Sequence, residues 1–456
     1  MTKIRSPRLP LVLALLAAAP GCNLVDKVCV GDCPEAQSDG DITAPTATHA
    51  TFDEAATTGT PGDDDDTGAT TTIPDAPPTD CADLEDTIVA AATCEDGSAA
   101  PGELCYLLGG GSFEYPNGVA SIAALQLDAA GDDVLLAHAD GVVLRSLYAA
   151  GPGLSSSDSD WATSFPGTLQ LSGVGDFDED GVLDVAARLG DAGGDTILAL
   201  RLDGAGGLAS ATTLLTGPAL STPKVADYDD DGHLDLVVAD PQTGDVNVLH
   251  GDGAGGFVAA LEFSYTGAKG RHVLVAFGED KVRDDFAFAA QNGELSLYFH
   301  MIGSEGFEVV KVGTKIHDLA AADMNGDGRE DIVALVDGPS GHSEIAVVLL
   351  VPSEQDTGMS FVTSYYPVHC DASVLAVGDL DADGRLDVVT VSSGSLINLA
   401  TILRGDGLGL FSGVMSVQLG GPVDDLKLAD LNSDGGVELL TISRDAGAYG
   451  VILSSP

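Results

Sequence analysis

Five nine-residue stretches of this chain set oxygen-bearing side chains at positions 1, 3, 5 and 9 around a glycine at position 6. They are Asp176 to Asp184 (DFDEDGVLD), Asp227 to Asp235 (DYDDDGHLD), Asp323 to Asp331 (DMNGDGRED), Asp379 to Asp387 (DLDADGRLD) and Asp430 to Glu438 (DLNSDGGVE). Such side chains converge on one point only where the chain wraps around it, and glycine permits the turn. A hard cation with oxygen ligands fits that point, Ca2+ above others. The expected side-chain ligands are Asp176, Asp178, Asp180 and Asp184, then Asp227, Asp229, Asp231 and Asp235, then Asp323, Asn325, Asp327 and Asp331. Asp379, Asp381, Asp383 and Asp387 form the fourth set, and Asp430, Asn432, Asp434 and Glu438 the fifth. At position 7 the backbone carbonyl is the ligand, supplied by Val182, His233, Arg329, Arg385 and Gly436. About five ions are therefore expected.

An EF-hand loop shares positions 1, 3, 5 and the glycine but closes with a Glu at position 12, between helices. Position 12 is Ala187, Val238, Ala334, Thr390 and Thr441, and none offers a carboxylate. Position 9 leads instead into β-branched, apolar runs such as Leu236-Val237-Val238 and Ile332-Val333-Ala334, which read as buried strands. The loops belong in β-hairpins.

Two degenerate copies close at Asp133 and Asp285, so the closing acids fall at 133, 184, 235, 285, 331, 387 and 438, a period of 46 to 56 residues. Several short strands repeating at that period predict an all-β fold, a seven-bladed β-propeller with Ca2+-binding hairpin loops, because a single blade cannot bury both its faces. The fourth copy puts Lys281 where the loop wants an acid, with Glu279 or Asp285 as its partner, and the first is a residue short. Both are expected to be metal-free. In the third unit the strands are Val225-Ala226, Asp235 to Ala239, Asp245 to His250 and Gly256 to Phe263. The last unit stops at Leu453, one strand short, while Ser112 to Tyr115 ahead of the first unit reads as the missing outer strand. Closing the ring this way would protect a sheet edge.

An acidic loop followed by a Gly-rich turn ending in Phe, as in Gly251-Asp252-Gly253-Ala254-Gly255-Gly256-Phe257, resembles the FG-GAP or VCBS repeats of integrin alpha-subunit propellers and bacterial surface proteins. The resemblance covers residues 106–456. It implies fold and metal; function does not follow from it, since propellers host binding and catalysis alike.

Lys3, Arg5 and Arg8 precede an apolar run, Leu11 to Ala19, too short to span a bilayer, which reads as a secretory signal over residues 1–21. Ala19-Pro20-Gly21-Cys22 resembles a bacterial lipobox, with Ala19 in place of the usual Leu and an atypical Pro20. Lipidation of Cys22 is expected, ordinary cleavage nearby being the alternative. Localisation would be the outer membrane or cell surface, or secretion, with the lipid as the only membrane contact. Residues 22–80 read as the lipidated N-terminus and a disordered Thr/Asp/Pro-rich linker, 81–105 as a Cys-containing lead-in, and 106–456 as the propeller. Without Cys22 six cysteines remain, Cys29, Cys33, Cys81, Cys94, Cys105 and Cys370, an even set in keeping with disulfides outside the cytosol, of undetermined connectivity.

Acidic residues number 71 against 19 basic ones, a formal charge of −52, which repels phosphate backbones and argues against nucleic acid as a partner. Solubility and recognition of basic partners account for the excess equally well. His317, His369 and the other histidines form no Ser-His-Asp order or metal-binding pair, so no catalytic residues and no organic cofactor are assigned. Trp161 is the only tryptophan, which disfavours a lectin. Arg404-Gly405-Asp406 spells an adhesion tripeptide but occupies the turn where the third unit has His250-Gly251-Asp252. The expected function is a calcium-binding surface module for a protein or glycan; a secreted polysaccharide lyase or hydrolase with an axial pocket is the alternative, and a lectin the third reading.

Overall fold

The structure is a computed structural model that describes residues 165–452 apart from 205–206, 230, 265–272, 276–285, 290–291, 302–303, 353–358, 394–397, 420 and 432–434, and ahead of residue 165 describes strands only. The signal sequence, the linker, Trp161, Lys281, and loop residues Asn432 and Asp434 therefore lie outside the described residues. The chain divides into two compact units, Met1–Thr48 and His49–Pro456. In the first, Cys22–Asn23 pairs antiparallel with Val28–Cys29. In the second, Ala92–Thr93 pairs parallel with Cys105–Tyr106, and everything that follows concerns this unit. Among the described residues no helix is long and apolar enough to cross a membrane.

Four-stranded antiparallel meanders follow one another along the chain. Sheet I covers strands within Val119–Asp160, sheet II Thr168–Gly217, sheet III Lys224–Ser264, sheet IV Val273–Lys311, sheet V Lys315–Pro367 and sheet VI Ala372–Gln418. Sheet VII joins Asp425–Ala429, Glu438–Ser443 and Ala448–Ile452 to Phe113–Glu114 from the other end of the domain. There Tyr449 pairs with Phe113 and Ala448 with Glu114, so the strand ahead of the first unit does complete the last one. Sheet III consists of Lys224–Ala226, Asp235–Asp240, Asp245–Gly251 and Phe257–Ser264, within a residue of its sequence reading.

Each strand's composition fits its depth. Second strands such as Asp235–Asp240 and Asp331–Asp337 are buried nearly throughout because sheets pack on both faces, which explains their continuous Val, Ile, Leu and Ala. Outer strands keep one face in solvent, leaving Val258, Leu261 and Val414 exposed. Apolar clusters bridge adjacent sheets: Leu135 with Val185, Ala186 with Leu236, Ala287 with Ile332, Ile345 with Val388, Val389 with Leu439, and Ile122 with Leu440. Full burial of one such side chain contributes about 1.5–3 kcal/mol. First strands lie side by side from sheet I through sheet VII and back to sheet I, so the packing order closes on itself. This is a β-propeller.

Candidate metal centres

Every complete acidic loop joins the first strand of its sheet to the second, in sheets II, III, V, VI and VII. Sheets I and IV lack one, and their connecting segments fall outside the described residues. The glycine at position 6 has φ of 88° in Gly181, 91° in Gly232, 86° in Gly328, 81° in Gly384 and 95° in Gly435. A Cβ added at Gly181, Gly232, Gly328 or Gly384 would meet nothing within 4 Å, so the requirement is backbone conformation and not space.

The carboxylates hold the loop's own backbone. The position 1 aspartate accepts N–H bonds from positions 5 and 6: Asp180 N to Asp176 Oδ1 is 3.1 Å and Gly181 N to Asp176 Oδ2 is 2.9 Å. Asp227, Asp323 and Asp379 repeat both bonds, and Asp430 accepts from Gly435 N at 3.2 Å. The position 5 aspartate accepts from position 7, as Val182 N does to Asp180 at 2.8 Å. The position 9 acid is buried and crosses the hairpin. Asp387, for example, accepts Leu380 N at 3.1 Å and Gly405 N at 2.8 Å, tying loop position 2 to the end of the third strand. Asp235 and Asp331 do the same, and Glu438 accepts Leu431 N at 2.7 Å.

Burial pushes the carboxyls of Asp184, Asp331 and Asp387 up to about 6, against the pull of backbone N–H donors and with the help of neighbouring aspartates. Desolvation raises Asp235 as well. Such groups resist ionisation because burial disfavours the charged form.

Asp176, Asp178 and Asp184 bring ligand atoms within 4.8 Å of one another, as do Asp379, Asp381 and Asp387, and in sheet III Asp227, Asp229 and Asp231. Asp178 Oδ1, Asp184 Oδ2, Asp229 Oδ1 and Asp381 Oδ1 are buried without a hydrogen-bond partner. An unpartnered carboxylate oxygen costs free energy unless a cation takes it. The all-oxygen donor set, the orphaned atoms and the raised carboxyls fit Ca2+, which positions 1, 3, 5 and 9 would hold. In sheet V position 3 is Asn325, whose side-chain oxygen accepts Asp327 N at 2.9 Å, and in sheet VII the set is incomplete among the described residues. The position 7 side chains point to other work: His233 Nδ1 lies 2.5 Å from Glu179 Oε1 of the sheet II loop, Arg329 pairs with Asp327 at 2.9 Å, and Arg385 pairs with Asp383 at 2.5 Å.

Residues 176–238, from the first loop through the second, match the profile of the family described as FG-GAP-like repeat. The chain carries an FG-GAP-like repeat. Among solved structures it is similar to the WD40 beta propeller domain of Doa1, at 14% identity and a TM-score of 0.43, covering 75% of this chain and 94% of that one. No curated protein matches the chain.

The acidic loops also touch the next sheet. Gly255 N, in the Gly-rich turn of sheet III, donates to Phe177 O of the sheet II loop at 3.0 Å, and Gly409 N of sheet VI donates to Met324 O of the sheet V loop at 3.0 Å. Phe257 packs edge-on against Phe177 with ring centroids 5.6 Å apart, so the phenylalanine that closes the FG-GAP turn is a packing residue. The Arg-Gly-Asp tripeptide is engaged internally: Arg404 pairs with Asp381 at 3.3 Å, Gly405 N binds Asp387, and Asp406 Oδ1 caps its own turn through Leu408 N and Leu410 N. His317 lies within a first strand, 2.7 Å from Asp337 Oδ1, and His369 is buried. Cys370 is disulfide-bonded.

Sequence reading passed over three basic residues at one structural position. Arg201, Arg404 and His250 each stand next to last in the third strand of a sheet, beside position 3 of its acidic loop. The available signal was the matching of residue types between units, which appears only when third strands are aligned to loops.

Proposed function

We propose that this protein is a seven-bladed propeller stabilised by about five Ca2+ ions, exported and tethered through Cys22, that serves as a binding module for a protein or glycan. The observation that carries the metal is the set of buried carboxylate oxygens in sheets II, III and VI that have no hydrogen-bond partner. The closed order of first strands supports the blade count. When bound, Ca2+ supplies the positive charge that the buried position 9 acids lack; the chain itself positions those acids with backbone N–H groups from the third strand. Elemental analysis of the purified exported form after dialysis against Ca2+ checks this reading. About five ions per chain are expected, and a count near zero, or near seven, contradicts it.

The interaction role follows from a rigid ring with an acidic surface, a formal charge of −52, and outer strands that leave Val258, Leu261 and Val414 in solvent. Replacing Cys22 by Ala should release the protein from membranes into the soluble fraction if the tether is lipid. One observation favours the enzyme reading. Lys224, exposed on a first strand, has Asp318, Lys427 and Asp425 of other first strands as its charged neighbours. An amine set among carboxylates is a candidate base. Release of unsaturated products from acidic polysaccharides, lost in Lys224→Met, would establish it.

A further inference from the structure

Position 3 of the loop and the residue beside it near the end of the third strand vary together. In sheet II they are Asp178 and Arg201, in sheet III Asp229 and His250, in sheet VI Asp381 and Arg404. In sheet V position 3 is Asn325 and the equivalent residue, immediately before the Leu350 whose N–H binds the position 9 acid, is Leu349. An acid stands beside a base three times, and in sheet V an amide replaces the acid and a leucine the base.

The geometry repeats with the residue types. Arg201 Nη2 pairs with Asp178 Oδ2, His250 Nδ1 lies 3.2 Å from Asp229 Oδ2, and Arg404 Nη1 lies 3.3 Å from Asp381 Oδ2. In all three the other oxygen, Oδ1, is buried without a hydrogen-bond partner. The side chain of Asp178 is only 6% exposed. One oxygen is thus held from outside the loop while the second faces its acidic neighbours. Gly255 roofs the first pair, since a Cβ there would lie 3.2 Å from Arg201 Nη1 and 3.3 Å from Asp178 Cβ. The following residue is also constrained: a Cβ at Gly251 or Gly405 would press within 2.5 Å of the position 8 carbonyl oxygen of Leu234 or Leu386.

We infer that Arg201 and Arg404, and His250 when protonated, are positioning residues that compensate the extra charge of an aspartate at position 3 and fix which of its oxygens is offered to a cation. Counting only loop positions 1, 3, 5 and 9 together with this strand residue, Asp with Arg and Asn with Leu give the same formal charge. A fourth carboxylate without its base would stand buried and unpaired, which is far costlier than the neutral amide found in sheet V. The inference rests on the Ca2+ reading only for its second half, since charge compensation operates with or without metal.

A substitution cycle read by melting temperature in EDTA separates the two. Arg201→Leu should lower the melting temperature by about 2 °C, and adding Asp178→Asn to it should restore most of that loss, whereas Asp178→Asn alone should give no comparable gain. Arg201→Lys should behave as the parent. In the reverse direction, Asn325→Asp in sheet V should destabilise the metal-free protein and Leu349→Arg should rescue it. Additive effects in both cycles would overturn the inference, because a side chain that merely packs has no reason to couple to the charge at position 3. Repeating the cycle in Ca2+ should shrink the Arg201→Leu loss, the ion supplying the missing charge. If Ca2+ shifts no variant while both cycles still couple, compensation stands and the calcium assignment falls.

Discussion

At the scale of single residues, the loops depend on one backbone conformation and on a few carboxyls kept from water. Gly384 has φ of 81° with open space around it, so Gly384→Ala should cost about 1–2 kcal/mol through left-handed strain alone. Gly413, which also has open space but no positive φ, is the control, and urea unfolding of the two variants should show the loss only in the first. Protonation is the second residue-scale test. Asp184, Asp331 and Asp387 titrate near 6 when folded against an ordinary value of 3.8, so between those limits the folded state binds protons that the unfolded chain does not. In EDTA the stability should therefore rise as the pH falls from about 7 to about 4, and be lost again as the pH rises through 6. Asp252, held low by the N–H groups of Ala254 and Gly256, opposes this only below about 4. In Ca2+ the sign should reverse, because protons then compete with the ion. Thermal melts across that pH range with and without chelator check both slopes.

Among the elements, the strand Phe113–Glu114 carries the closure, since it is the fourth strand of sheet VII. Deleting residues through Pro116 should expose the edge at Ala448–Ile452 and reduce stability and solubility, whereas deleting through Asp80 should leave the melting temperature nearly unchanged. Equal behaviour of the two truncations would refute closure. That strand was legible because the last unit ends one strand short and Leu107-Leu108-Gly109-Gly110-Gly111-Ser112-Phe113 repeats the Gly-rich turn and Phe found inside other units. The loops and second strands were legible for a similar reason: ligands spaced two apart, a glycine with obligatory positive φ and a run such as Leu236-Val237-Val238 are local signals. The partners of position 3 were not. Arg201 stands 23 residues after Asp178 in the chain, and only the antiparallel register of Val185 with Leu200 brings the two together. Lys224 and its neighbours on other first strands are likewise joined by closure of the ring, which no short window of sequence encodes.

For the whole molecule the governing quantity is charge. A chain with 71 acidic and 19 basic residues concentrates carboxylates in five hairpins arranged around one ring, and packs those hairpins against the turns of the following sheets. Ions that bind only the folded state stabilise it by mass action, about 2.7 kcal/mol per site at a hundredfold excess over the dissociation constant. Several sites acting together should make the fold strongly dependent on Ca2+ and only weakly responsive to Mg2+, which demands smaller, octahedral coordination. The direct test is the melting temperature of the purified protein in EDTA, then on titration with Ca2+ and separately with Mg2+. The expected result is a rise of at least 10 °C that saturates with Ca2+ and is reversed by chelator; a melting temperature that Ca2+ leaves unchanged would contradict the account.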